Sequence, residues 1–240
     1  MLKFNWFKNA WSDKLNQELL YTALKYIFAA YIMGVANELA DVRGSLVSER
    51  VPPLPDVGFD IVPYFPSVLW IPDLLNKLAL LLVIVRVLCS QRRRKLACVF
   101  MEIHITLMLL RCVCLPLTTF PASNPKCYNR LDARPHSIFI QPAFRILQPN
   151  GLSSCCHDLL FSGHAVVSVI SALFIHDAGG AVWWRVAAWI GCVFGCLIIV
   201  ATRIHYTADI VVAIIISYLV YLQWRGEVVH LFQPSRVLEV

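Results

Sequence analysis

Six apolar runs, each close to the length of a bilayer-crossing helix, dominate this 240-residue chain and leave little else for it to fold into. A bilayer core is crossed by about 20 mostly apolar residues in a helix, which satisfies its own backbone hydrogen bonds where no water can. The runs fall at 19–36, 68–89, 97–117, 158–175, 182–201 and 206–224. With 58% of residues hydrophobic and 15% charged, the composition excludes a soluble domain. The expected fold is therefore all-α, a polytopic membrane protein of six transmembrane helices. One membrane domain spans 19–224, between an N-terminal cytosolic segment at 1–18 and a short cytosolic tail at 225–240.

The net charge of +6 does not point to nucleic acid, because the basic residues lie at segment ends and no soluble module presents them. Arg92, Arg93, Arg94 and Lys95 form the densest basic run, and positive charge marks the cytoplasmic side. The amino terminus, the connector around His176 to Arg185 and the carboxy terminus then share that side. The proline-rich connector at 51–56, the long loop after the third run, His164 and His205 all fall on the opposite face. Phe4, Trp6, Phe7 and Trp11 among Lys3, Lys8 and Lys14 make 1–18 either an amphipathic surface segment or a frayed tail. Pro52, Pro53 and Pro55 deny helix and sheet bonding, so that connector reads first as a rigid spacer.

Two stretches carry chemistry. In His205-Tyr206-Thr207-Ala208-Asp209 the histidine and aspartate are four apart on one helical face, so the carboxylate can hold one ring nitrogen and leave the other to attack. In Ser162-Gly163-His164 the glycine has no side chain to block a substrate. Two histidines, one oriented by a carboxylate, suit a two-step displacement in which one is the nucleophile and the other passes protons. Asp158, at the start of the fourth run, is placed either for the site or to cap exposed amides there. Glu102, His104 and Arg111 lie inside the third run, where a charge costs on the order of 2.5–3.5 kcal/mol, so they should face the bundle interior, a partner or an interface. Arg111 is the preferred phosphate ligand among them. In the second run Asp73 and Lys77 form a helix-spaced pair at the entry, and Arg86 can snorkel at the far end.

His-Tyr-Thr-x-Asp at 205–209, Asp-x-x-x-Ser-Gly-His at 158–164 and Pro-Pro-Leu-Pro-Asp at 52–56 together resemble the sphingomyelin synthase family, sphingolipid headgroup transferases related to type 2 phosphatidic acid phosphatases. The resemblance implies a lipid phosphate phosphatase-like bundle with a catalytic triad at His164, His205 and Asp209. By it, His205 attacks the phosphorus of a glycerophospholipid and holds the phospho-headgroup. His164 then protonates the departing diacylglycerol and takes a proton from the ceramide hydroxyl. Arg111, Arg203 and the backbone at Gly163 are the expected phosphoryl ligands, with Asp158, Ser162 and Tyr206 lining the substrate site. No metal or other cofactor is implied. Ceramide and a glycerophospholipid are the implied partners, phosphatidylcholine first and the ethanolamine or inositol lipids otherwise. The implied location is Golgi or plasma membrane, with the site on the lumenal or exoplasmic face. The oligomeric state stays open, a homodimer being the assembly considered.

The chain departs from the family where Cys-Gly-Asp becomes Cys156-His157-Asp158, and at Ala165, Ile210, Ile214 and Met108, which leaves headgroup choice open. His157 and His164 beside Cys155 and Cys156 are not expected to bind metal, because adjacent cysteines chelate poorly. An oxidising lumen favours a disulfide there instead, with Cys127 a candidate partner. Two other readings remain: a lipid phosphate phosphatase, in which water resolves the phospho-histidine, and a silent homologue that binds or scrambles lipids.

Overall fold

The computed structural model describes residues 13–48, 51–125, 138–140, 142 and 156–233, and the regular structure among these is all helical. In chain order the α-helices are α1 (Lys14–Ser48), the short α2 (Val57–Ile61), α3 (Ile71–Leu88), α4 (Arg93–Leu117), α5 (Gly163–Asp177), α6 (Val182–Ala201) and α7 (Thr207–Phe232). A 3-10 turn at Pro66–Val68 leads into α3. Of these, α1, α3, α4, α6 and α7 are long and apolar enough to cross a bilayer, so this is an integral, multi-pass membrane protein.

The fourth expected span is shorter than its apolar run. Helix α5 has 15 residues and begins at Gly163 rather than 158, which gives about 22 Å of helix against a core of about 30 Å. The residues before it, Asp158 to Ser162, are spent on non-helical backbone at the site.

Two other boundaries move. Asn37 and Glu38, expected to end the first span, lie inside α1, which runs on to Ser48. They and Asp41 are buried against the bundle, so their polarity marks an inward face rather than a helix end. Helix α7 continues past 224 to Phe232 because Val228 and Leu231 are still core residues. Most of the expected segment at 1–18 and the end of the expected tail, 234–240, lie outside the described residues; Lys14 to Glu18 open α1.

The main core joins α3, α4, α5, α6 and α7 through Val83, Leu96, Ile103, Phe161, Phe174, Ile199 and Tyr221. Helix α5 packs on α3, α6 and α7 and so carries its first turn into the middle of the bundle. Outward faces are apolar: Leu74, Leu78, Leu81, Val85 and Leu88 make an exposed stripe along α3, the pattern a lipid solvent requires. Helix α1 packs chiefly on α4, where Lys25 pairs with Glu102 and the Tyr26 hydroxyl lies 2.8 Å from His104 Nδ1. The buried polar groups of the third run thus have the inward partners their cost demands. Arg86, at the inner end of α3, donates to the carbonyls of Ala178 and Gly179 at 3.0 Å each and caps the end of α5.

Candidate active site

Helix α5 starts where Ser162 can cap it. The Ser162 side chain accepts from the Ala165 amide at 3.3 Å, the task the sequence allowed for Asp158. Asp158 instead faces Arg111, with 3.5 Å between its carboxylate and Nη2. Arg111 is buried and clasps the turn before α5, donating from Nε to the Phe161 carbonyl at 2.7 Å and from Nη2 to the Asp158 carbonyl at 3.2 Å. A Cβ on Gly163 would sit 2.5 Å from Arg111 Nη1, so the missing side chain makes room for the guanidinium rather than directly for substrate. Burial raises the Asp158 carboxyl above its ordinary pKa, with nearby positive charge opposing the shift.

The start of α7 holds the second histidine. Asp209 closes a capping box with Tyr206, accepting from its backbone amide at 3.0 Å. The same carboxylate lies 3.7 Å from His205 Nδ1, an electrostatic contact rather than a hydrogen bond. His205 is 1% exposed, with the Leu159 backbone and the Asp209 carboxylate as its polar neighbours. Burial pushes its pKa down to about 3, so near neutrality the ring is uncharged and one nitrogen keeps its lone pair. The Ser162 amide donates to the Asp209 carbonyl at 3.2 Å, which ties the two motifs together.

The rings of His164 and His205 lie 6.0 Å apart between centroids and meet edge to face at 64°. The carboxylate that holds His164 was not singled out for the site in the sequence: Asp73, in the first turn of α3, lies 2.9 Å from His164 Nε2. The available signal was an acidic residue at the outer end of an apolar run, at the same depth as the histidine.

Other candidate residues have structural partners. Arg203 adopts a left-handed backbone with φ of 56° and turns its side chain to α2, donating to the Phe59 carbonyl at 2.8 Å and lying 3.9 Å from the Phe59 ring centre. In this arrangement the Arg203 side chain is held against α2. The Tyr206 hydroxyl donates to the Pro121 carbonyl at 3.0 Å and accepts from the Leu54 amide at 3.1 Å, bracing outer segments rather than lining a substrate cleft. The proline-rich connector is more than a spacer, for Asp56 accepts from both the amide and the hydroxyl of Thr207 at 2.7 and 2.6 Å while capping α2. His157 is also structural: Asp41 accepts from the amides of Cys156 and His157 at 2.8 and 2.9 Å and lies 3.2 Å from His157 Nδ1. Cys156 is disulfide-bonded, and Cys127 lies outside the described residues. Among the described residues no three His, Cys, Asp or Glu side chains converge as a metal site.

Comparison with known proteins gives the following likenesses. Residues 155–226, which include both histidines and Asp209, match the PAP2 superfamily C-terminal family. The chain is 31% identical over 196 residues to human phosphatidylcholine:ceramide cholinephosphotransferase 1, covering 75% of this chain and 47% of the relative. It is 29% identical over 223 residues to mouse phosphatidylcholine:ceramide cholinephosphotransferase 2, covering 85% of this chain and 59% of that one. With sphingomyelin synthase-related 1 of Caenorhabditis elegans it shares 27% identity over 226 residues, 89% of this chain and 44% of the relative. The chain spans about half the length of the curated relatives it matches. By these matches the chain is similar to the sphingomyelin synthases, and its residues 155–226, which hold His164, His205 and Asp209, match the PAP2 superfamily C-terminal family.

Proposed function

We propose that this protein transfers a phospho-headgroup from a glycerophospholipid to the primary hydroxyl of ceramide, with phosphatidylcholine as the first donor to test because two similar proteins are named for it. The observation that carries the reading is the buried His205 ring, with Asp209 beside it, next to an Asp73-held His164 at the head of a membrane bundle. With Asp209 beside Nδ1, Nε2 of His205 is the attacking atom. Its lone pair forms an N–P bond as the P–O bond to diacylglycerol breaks, and His164 gives its proton to the departing oxygen. In the second half His164 takes the proton of the ceramide hydroxyl. That oxygen attacks phosphorus, the N–P bond breaks, and both imidazoles return to their starting states. Arg111 and the first turn of α5 take the negative charge that develops on the phosphoryl oxygens, roles suited to a guanidinium and a helix N-terminus. The chemistry is located at the face opposite the Arg92–Lys95 run, which fits a lumenal or exoplasmic site in Golgi or plasma membrane.

The test is chromatography of the products formed by purified protein in liposomes, given labelled ceramide and one donor lipid at a time. A ceramide phospho-headgroup product that disappears in His205→Ala, by a factor of about a thousand or more, is expected. Phosphate release from phosphatidic acid with no ceramide product would instead make the protein a lipid phosphatase. Inactivity in both assays would favour a lipid-binding homologue.

A further inference from the structure

An apolar cavity of about 200 Å³ lies between α3, α5 and α6, and the catalytic description has not used it. Its walls include Ala79 and Leu82 from α3, Ser171 and Ile175 from α5, and Ala187 and Gly191 from α6. It is larger than the aliphatic cavity of about 150 Å³ that stays dry and takes up benzene. Its position relative to His164 is fixed by helical periodicity. His164, Ser168, Ser171 and Ile175 follow one another along a single face of α5, at steps of three and four. The cavity wall starts at Ser168, about 6 Å below His164, and runs inward for about 10 Å more.

Two polar rungs join α3 to α5 above it. Asp73 meets His164 at 2.9 Å, and one turn lower the Ser168 hydroxyl donates to the Asn76 side-chain carbonyl at 2.9 Å. Gly195 of α6 closes against this second rung, where a Cβ would lie 3.6 Å from Ser168 Oγ and 3.7 Å from Leu75. Deeper still, Ser171 is 1% exposed, lines the cavity, and its hydroxyl has no hydrogen-bond partner among the described residues. A buried hydroxyl without a partner is costly unless something bound there satisfies it.

Resting on the transferase reading above, we infer that this cavity is the acceptor's tail slot. The ceramide amide sits at the Asn76–Ser168 rung, one turn below the hydroxyl delivered to His164, and the N-acyl chain runs down between α3, α5 and α6. An amide both donates and accepts, as do the Asn76 side chain and the serine hydroxyls, whereas the esters of a glycerolipid only accept. The apolar walls below the rung take methylenes and offer no charge. One site therefore selects the acceptor by its polar shoulder and limits its chain by length.

The test compares N-hexanoyl and N-palmitoyl ceramides on one sphingoid base. A Cβ at Gly191 meets nothing within 4 Å, so Gly191→Leu grows into the cavity without first displacing a neighbour. The ratio of kcat/KM for the palmitoyl over the hexanoyl acceptor is expected to fall about tenfold in Gly191→Leu. Asn76→Leu should raise KM for both ceramides while lowering kcat less. In the wild-type protein a photoactivatable N-acyl ceramide should crosslink to the 75–82 and 187–192 stretches, a readout independent of how any variant folds. An unchanged chain-length ratio in active Gly191→Leu, or crosslinks that avoid those stretches, would overturn the slot while leaving the transferase intact. A wild-type protein inactive on every ceramide would overturn both.

Discussion

At the level of single residues, His164 and His205 are supported differently. His164 has a carboxylate from another helix at hydrogen-bond distance, whereas His205 sits buried with its own helix's Asp209 standing off at 3.7 Å. That suits a division of labour, because a group that gains and loses protons benefits from a fixed counter-charge and a nucleophile benefits from a free lone pair. Asp73→Asn keeps the shape and removes the charge. It is expected to lower kcat about a hundredfold with KM little changed, measured in the ceramide transfer assay, and a wild-type rate would show that the contact is only structural. Asp73 was legible only as half of an Asp73–Lys77 helix pair, since nothing in the linear chain says that α3 and α5 run side by side. The surroundings of Arg203 were hidden for the same reason: its neighbour in sequence is His205, but its neighbour in space is Phe59.

Between elements, the outer loops are fastened to the catalytic helices by single side chains. Asp56 caps α2 and reaches Thr207 at the head of α7, and Asp41 of α1 gathers the amides of Cys156 and His157 just before the turn that Arg111 holds. His157 occupies the position where the family pattern has glycine, and α1 answers with its own glycine: a Cβ on Gly44 would lie 2.2 Å from the His157 Cγ. Gly44→Ala is expected to destabilise the protein by about 1–3 kcal/mol through overpacking, seen as a lower Tm in detergent. In a His157→Gly background the same substitution should cost little. Equal losses in the two backgrounds would mean that the two positions do not share one space.

For the whole molecule, both histidines and the α2 segment lie at one end of the bundle, and the Arg92–Lys95 run lies at the other. The protein supplies reporters for this arrangement. Cys89 is exposed at the basic end, and Ile61, 74% exposed, stands at the catalytic end. In sealed cells expressing Ile61→Cys, a membrane-impermeant maleimide should label position 61 if the protein is at the plasma membrane and reach Cys89 only after permeabilisation. For protein in internal membranes, the label should reach Cys89 first when only the plasma membrane is opened. The reverse pattern would invert the topology.

Hydropathy by itself determined that this chain is helical and membrane-spanning, and motif spacing singled out His164, His205 and Asp209, because a lipid solvent demands long apolar helices and a helix start fixes which residues share a face. Sequence spacing did not give the length of α1, since Asn37, Glu38 and Asp41 look like a helix end until the bundle they face is known. Nor did it shorten α5, whose apolar run includes residues that fold as a turn around Arg111. Tertiary structure alone decided that Asp73 holds His164, that Asp209 stands off from His205 while capping α7, and that Asn76 and Ser168 bridge two helices above a cavity. The two contacts between α3 and α5 join positions about ninety residues apart in sequence, and only the packing of helices side by side brings their side chains within hydrogen-bond reach.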